Sequence, residues 1–240
     1  MRYCLDLPNG AAIAGQWLYD WQTLLSGMLA LGAAFLAASQ IRKQIVQVEK
    51  HETERRTRKF NAVRATLPLA LSGICSFSKN MLTELSQVRS AISHLGSVPV
   101  PKSFNPPSPP SELVSALQDM VEATAQTNVI AAISEIISEI QTLSSRVDGL
   151  SDNAQIRQAI GMDRNIDEYI IQTARMYALA EALFDFARRK DEFGPKELPW
   201  DRVYSALHFT NIEDHQFPDL YADLQRRSQR VAFAWHSDLS

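Results

Sequence analysis

Cysteine is scarce in this 240-residue chain, which contains two of them. Cys4 and Cys75 are far apart and form no C-x-x-C pair, so neither a disulfide framework nor a zinc site of paired cysteines is indicated. The sequence also lacks a P-loop and the G-x-G-x-x-G, G-x-S-x-G and H-E-x-x-H motifs. Their absence argues against a nucleotide enzyme, an α/β hydrolase and a zincin. We therefore expect no cofactor and no metal.

Period-two alternation of apolar and polar residues is missing as well, and no stretch sustains it long enough to indicate a sheet. What the sequence does contain is apolar residues at three- and four-residue spacing over long stretches, which is typical of amphipathic helices. We therefore predict an all-α protein.

Formal charge is absent from Trp21 to Ile41, a run of 21 residues. At a rise of about 1.5 Å per residue, a helix of this length spans about 31 Å, the thickness of the hydrocarbon core of a bilayer. Aromatic rings that favour the headgroup zone lie at the start of the run, namely Trp17, Tyr19 and Trp21. We predict a transmembrane helix over residues 17–41, after a short extracytoplasmic N-terminus over residues 1–16.

A cleaved signal peptide and a buried core helix are the two alternatives to a membrane span. A cleaved signal peptide carries its bases before a shorter apolar stretch, whereas here only Arg2 precedes the run and the other bases follow it. A buried core helix is the second alternative, since the run is rich in alanine and only moderately hydrophobic. Because lysine and arginine are retained on the cytoplasmic side, we expect the N-terminus outside and the C-terminal domain in the cytoplasm.

Small side chains recur every four residues within the run, at Ser26, Ala30, Ala34 and Ala38. Such a stripe lets transmembrane helices approach closely, so it is a candidate face for self-association and a homo-oligomer. An alanine-rich composition also produces stripes of this kind without any association.

A band of positive charge follows the apolar run, with eight bases and three acids between Arg42 and Arg64. We predict a basic helical stalk over residues 42–66 whose cations contact anionic lipid headgroups. The predicted headgroup contacts are Arg42, Lys43, Lys50, Arg55, Arg56, Arg58 and Lys59. A nucleic-acid arm is the alternative, but the interleaved glutamates and the adjacent apolar run favour lipid.

The rest of the chain reads as helices with one interruption. We predict an amphipathic helix over residues 67–96 with a kink or break at Pro68, then a proline-rich linker over residues 97–110, then a helical bundle over residues 111–240. Within the bundle the expected helices are Glu112–Val147, closed by Gly149, then Arg164–Arg189, Trp200–Phe209 and Pro218–Trp235.

One segment near the C-terminus is rich in potential metal ligands: His208, Glu213, Asp214, His215, Asp219 and Asp223. Their spacing matches no defined metal site, and acidic residues are expected near the helix start at Pro218. We therefore predict no metal here.

The segment "RVYSALH", Arg202 to His208, is similar to the Arg–His pair of HEPN-type ribonucleases, which are compact all-α domains. The resemblance implies that Arg202 and His208 act on the 2′-hydroxyl and phosphate of RNA. That family tends to place a polar residue directly after the arginine, and Val203 stands there instead. At helical spacing the two residues are equally compatible with an ordinary surface pair.

The first third of the chain, with "WQTLLSGMLALGAAFLAASQIRKQ" and "RRTRKFNAVRATLPLALS", resembles a loose group of uncharacterised proteobacterial and prophage-borne membrane proteins. They share a W-Q-T-L opening, a span rich in small residues, a basic stalk and a helical cytoplasmic part. The resemblance implies a bacterial inner-membrane location, and it supplies no activity, because the group has none assigned.

These observations together predict a membrane-anchored helical protein that tethers or scaffolds an unknown protein partner at the bacterial inner membrane. The alternatives are a HEPN-like ribonuclease and, by analogy, a membrane-associated phage-defence effector.

Overall fold

The computed structural model describes residues 10–95, 104–109, 111–152 and 162–236, and the chain divides into two units, residues 1–57 and 58–240. The predicted all-α fold is confirmed. Helices account for nearly all of the described residues: α1 Gly10–Leu95, α2 Ser111–Ala123, α3 Thr127–Asp152, α4 Met162–Ala182, α5 Phe184–Ala187, α6 Trp200–Phe209 and α7 Pro218–Arg230.

The first unit is helical from Gly10 to its boundary at Thr57. Among the residues that the structure describes, one helix is long and apolar enough to span a membrane, with a mean hydropathy of 1.7 in its most apolar window and none of that window buried. The side chains between Leu24 and Ala38 are all exposed.

The second unit packs around α4, which lies against α3 and α6. Its residues from Ile170 to Ala174 are all buried, so α4 is enclosed on every side over this stretch. The part of α1 from Leu67 to Val88 contributes the buried side chains Leu71, Ile74, Leu82 and Leu85 to the same core. Burial of each such leucine or isoleucine contributes about 1.5–3 kcal/mol relative to exposure.

Two buried arginines of α1 tie this helix to the rest of the second unit. Arg89 forms a two-pronged pair with Asp167 of α4, with Nε–Oδ1 at 2.7 Å and Nη2–Oδ2 at 3.2 Å. Arg64 donates to the carbonyls of Phe186 and Asp191 at 2.9 and 2.7 Å and lies 4.2 Å from the centroid of the Phe186 ring. Burial, with help from Arg189, lowers the pKa of Arg64.

Of the kink or break predicted at Pro68, the break is wrong, because α1 continues through this residue to Leu95. Proline at position 68 removes the backbone donor that would bond the carbonyl of Arg64. The neighbouring Leu67, Ala70 and Leu71 are buried in the core. The helical path is therefore held by packing, which outweighs the single lost hydrogen bond.

The single helix predicted over Glu112–Val147 is wrong in two respects. It is interrupted at residues 124–126, where the Thr124 hydroxyl accepts a hydrogen bond from the backbone N–H of Gln126 at 3.1 Å. A threonine hydroxyl that captures a nearby backbone donor competes with the helical ladder. At the other end Gly149 does not close the helix, which runs to Asp152.

A small antiparallel ribbon corrects the expectation of no sheet. Strand β1, Glu197–Pro199, pairs with β2, Phe233–His236, with Leu198 opposite Trp235. The helix predicted to reach Trp235 therefore ends at Arg230. Strands of three and four residues are too short for a period-two pattern to be visible in the sequence.

Other predicted boundaries are confirmed. Helix α6 has the predicted ends, and Pro218 occupies the first turn of α7, where its missing donor is harmless. The single helix predicted over Arg164–Arg189 is wrong, because it is divided into α4, which ends at Ala182, and α5, which ends at Ala187, and Arg189 has a left-handed φ of 63°. Most of the predicted linker, 97–103 and 110, lies with Gly96 outside the described residues. Residues 104–109 are irregular, and Asn105 N donates to Glu84 Oε2 at 3.2 Å.

Candidate functional site

The predicted membrane segment is a helix with an apolar, exposed surface. Tyr19 and Trp21 of the aromatic belt are 73% and 47% exposed, while the side chain of Trp17 lies outside the described ones. The structure thus puts the apolar side chains where lipid would contact them.

The cations of the predicted stalk fall in both units. In the first unit Arg42, Lys43, Lys50 and Arg55 are exposed, and Arg56 pairs with Glu52 one turn earlier, with Nε–Oε1 at 3.1 Å. In the second unit Arg58 is exposed, and Lys59 reaches Glu122 of α2 with its Nζ at 3.2 Å from Oε2. Such exposed pairs are worth only about 0.2–1 kcal/mol.

The small-residue stripe of the span is exposed along its whole length, from Ser26 through Ala30 and Ala34 to Ala38. A Cβ atom added at Gly27 or Gly32 would meet nothing within 4 Å. Spacing by four residues on a continuous helix places the stripe along one side of it.

Arg202, one of the two candidate catalytic residues, lines a cleft of about 450 Å³ in the second unit. Around it lie the Cys75 thiol of α1, Tyr177 and Glu181 of α4, and Arg188 after α5. Burial, with a contribution from Glu181, raises the pKa of the Cys75 thiol to about 11, so the thiol is protonated and weakly nucleophilic at neutral pH. Burial also raises the pKa of Tyr177, with Cys75 and Glu181 adding to the shift.

His208, the second candidate, has different surroundings. Its Nδ1 lies 3.0 Å from Glu213 Oε2, and its ring centroid is 6.1 Å from that of Tyr221. Burial, with Glu213 and Asp214 nearby, raises the pKa of Tyr221 to about 12. Six residues apart on α6, Arg202 and His208 point about 120° away from each other around the helix axis. The side chains of Arg202 and His208 therefore do not converge on a space the size of one phosphate group.

The acidic segment is likewise divided among separate interactions. Asp219 lies 3.9 Å from Arg89, and Asp223 pairs with Arg226 and Arg227 on its own helix. The ligand atoms of Glu213, Asp214 and His215 lie within 4.8 Å of one another, but Asp214 and His215 are exposed and Glu213 already contacts His208. We therefore interpret residues 213–215 as a largely exposed loop that leads into helix α7.

Sequence reasoning missed a charged cluster at the floor of a groove of about 670 Å³ between α3 and β2. Arg175 of α4 donates from Nε to the Ala234 carbonyl, from Nη1 to Glu139 and from Nη2 to Glu135, each at 3.1 Å. Burial raises the pKa of Glu139, and the neighbouring Arg175 opposes that shift. All three nitrogens of this guanidinium bond α3 and β2, so the cluster joins three elements.

The sequence signal for this cluster was weak. Glu135 and Glu139 are four residues apart on α3, beside the apolar positions Ile136 and Ile140, so they border the buried face. Only the packed structure shows that Arg175 reaches both.

Comparisons with protein-family models, curated proteins and solved structures give no significant match to this chain.

Proposed function

We propose that this protein is a single-pass tether that holds the helical unit of residues 58–240 at the cytoplasmic face of a bacterial inner membrane. The observation that carries the proposal is the uncharged helix Trp21–Ile41, whose most apolar window has no buried residue.

The physical reason is the solvent that this helix prefers. Eight large apolar side chains between Leu24 and Ile41 are more than half exposed, among them Leu31 at 76% and Phe35 at 74%. Transfer of one such side chain out of water is worth about 1.5–3 kcal/mol when it is fully exposed, so the eight together favour lipid by several kcal/mol. The helical backbone satisfies its own hydrogen bonds, as a span in lipid requires.

Orientation follows from the flanking charges. Arg42 and Lys43 stand directly after the run, and lysine and arginine remain on the cytoplasmic side. The cations that follow favour the negatively charged surface of that leaflet, at about 1 kcal/mol for each one near it. In this account the stalk keeps the second unit close to the lipid surface.

The second unit would then act by binding a protein partner. The buried Arg64 and Arg89 and the partly buried Arg175 hold elements of this unit together, and Arg175 also contacts the ribbon. The resemblance to HEPN-type ribonucleases gains no support from the separate positions of Arg202 and His208. Nucleic acid is a less favoured partner because the net charge of the chain is −3.

Extraction of membranes with alkaline carbonate tests the proposal, using two leucines of α1 that are each 76% exposed, Leu31 and Leu69. Lysine at the centre of a span opposes insertion by about 2.5–3.5 kcal/mol. We expect the wild-type chain and Leu69→Lys to stay in the membrane pellet and Leu31→Lys to be depleted from it. Release of the wild-type chain, or equal behaviour of the two variants, would contradict the proposal.

A further inference from the structure

The apolar face of α1 does not stop where the apolar run stops. From Leu31 to Val48 apolar residues continue at alternating three- and four-residue steps, across the first charged residues and into the stalk. We call this face the seam: Leu31, Ala34, Ala38, Ile41, Ile45 and Val48. Alternating steps of three and four are the heptad spacing of helices that wrap around each other.

The seam side chains at the end of the uncharged run and after it are exposed. Ile41, Ile45 and Val48 are 55%, 52% and 66% exposed. Between residues 42 and 50 the positions off the seam are charged or glutamine, with Val46 as the exception. β-Branched side chains kept on one side of an otherwise polar helix indicate that this side is covered.

The charges beside the seam favour a second copy as the cover. In a parallel, in-register heptad pair, Lys43 and Lys50 occupy the outermost position and point away from the partner helix. Gln44 of one copy then lies beside Glu49 of the other, where an amide donor meets a carboxylate, and Arg42 lies beside the small Ala37. No two like charges face each other across the seam between residues 31 and 50.

Insertion in a membrane also fixes the direction and the register of two paired copies. Two copies threaded in the same direction through one bilayer lie parallel, with equivalent residues at the same depth. Ala34 and Ala38 in the lipid part allow close approach of the backbones.

We propose that the seam from Leu31 to Val48 binds a second copy of this chain as a parallel, in-register helical pair that begins in the membrane and continues into the stalk. This inference rests on the proposed function, because the membrane supplies the common direction. It differs from association through Ser26, Ala30, Ala34 and Ala38 alone, since that stripe ends inside the lipid.

Disulfide scanning in native membranes tests the pairing. In the full chain carrying Cys4→Ser and Cys75→Ser, single cysteines replace Ile41, Ile45 and Val48 on the seam, and Lys43, Val46 and Lys50 off it. After mild oxidation we expect covalent dimers on a non-reducing gel at the three seam positions and little at the other three. Equal crosslinking at all six positions, a maximum at the outer positions or no dimer would overturn the inference.

A second pair of variants guards against crosslinking by chance encounter. With the reporter cysteine at position 41, Ile45→Lys places a cation in the seam, whereas Val46→Lys adds the same charge beside it, at a residue that is 63% exposed. We expect Ile45→Lys to reduce dimers to the level of the outer positions and Val46→Lys to preserve them. Dimers that survive in both variants would overturn the pairing.

Carbonate extraction of the same membranes separates the two proposals. A chain that stays in the pellet without periodic crosslinking contradicts the seam alone. A chain that carbonate releases contradicts the tether, and the seam with it.

Discussion

Replacement of Arg89 by methionine is the most informative stability perturbation in the second unit. The side chains of Arg89 and Asp167 are 8% and 13% exposed, and two hydrogen bonds join them at 2.7 and 3.2 Å. In Arg89→Met the Asp167 carboxylate stays buried in the α1–α4 contact without its main cation. Breaking a buried pair in this way costs about 3–5 kcal/mol.

Asp167 keeps a slight exposure, so we expect the lower end of that range. A loss of about 3 kcal/mol corresponds to a fall in Tm of about 6–12 °C for a unit of this size. The double variant Arg89→Met/Asp167→Leu removes both charges, and it should regain most of the loss, because an apolar replacement of a buried pair is often neutral.

Guanidinium unfolding of the detergent-solubilised full chain, followed by far-UV circular dichroism, measures these differences. Arg226→Met is the matched control, since Arg226 is 64% exposed in its pair with Asp223 and should lose less than about 0.5 kcal/mol. An Arg89→Met variant as stable as the control, or a double variant less stable than the single one, would refute the reasoning.

Four further predictions concern single residues. Gly194 has φ +75°, and an added Cβ would lie 2.5 Å from Val129 Cγ2, so Gly194→Ala should lower the free energy of unfolding by at least about 1–2 kcal/mol. Gly149 lies inside α3, where an added Cβ would meet nothing within 4 Å, so Gly149→Ala should instead raise it by about 0.5–1 kcal/mol, and both are measured by the same unfolding titration. In a Cys4→Ser background, alkylation of Cys75 by iodoacetamide should rise with a midpoint near pH 11 when folded, against the ordinary thiol value of 9.0 when unfolded. Because folding raises this pKa, the stability that the protonated thiol contributes is present below pH 9 and is lost towards pH 11. Equal alkylation midpoints in the folded and unfolded states would contradict the assigned burial of Cys75. His208→Ala should leave cellular RNA intact to the same extent as wild type when each is expressed, and RNA cleavage that depends on His208 would revive the ribonuclease alternative.

The sequence predicts helices well where local signals and packing agree. Trp200 follows Pro199, and Pro218 sits where a first helical turn tolerates it, so the starts of α6 and α7 could be read directly. Pro68 shows the opposite case, because its local signal for a break is outweighed by the buried Leu67 and Leu71 around it.

Other features depend on contacts that no local pattern encodes. The apolar spacing continues from α2 into α3, so the interruption at Thr124 is invisible until its hydroxyl is seen to capture Gln126 N. The β1–β2 ribbon joins residues more than thirty positions apart. The link from Arg175 to Glu135 and Glu139 likewise joins separate helices, and such pairings depend on the tertiary arrangement. For the candidate site, the sequence suggested Arg202 and His208 as a pair, and only the helix geometry shows how far they diverge.

The proposed topology, with residues 58–240 in the cytoplasm, is tested most directly by fusing each of two reporters to the C-terminus and expressing the two fusions separately in a bacterial host. Alkaline phosphatase is active only when it folds outside the cytoplasm. Green fluorescent protein that is exported in the unfolded state does not become fluorescent outside the cytoplasm. We expect a fluorescent membrane fraction and an inactive phosphatase, because the cations after Ile41 retain the second unit in the cytoplasm. Active phosphatase together with a dark fluorescent fusion would contradict it.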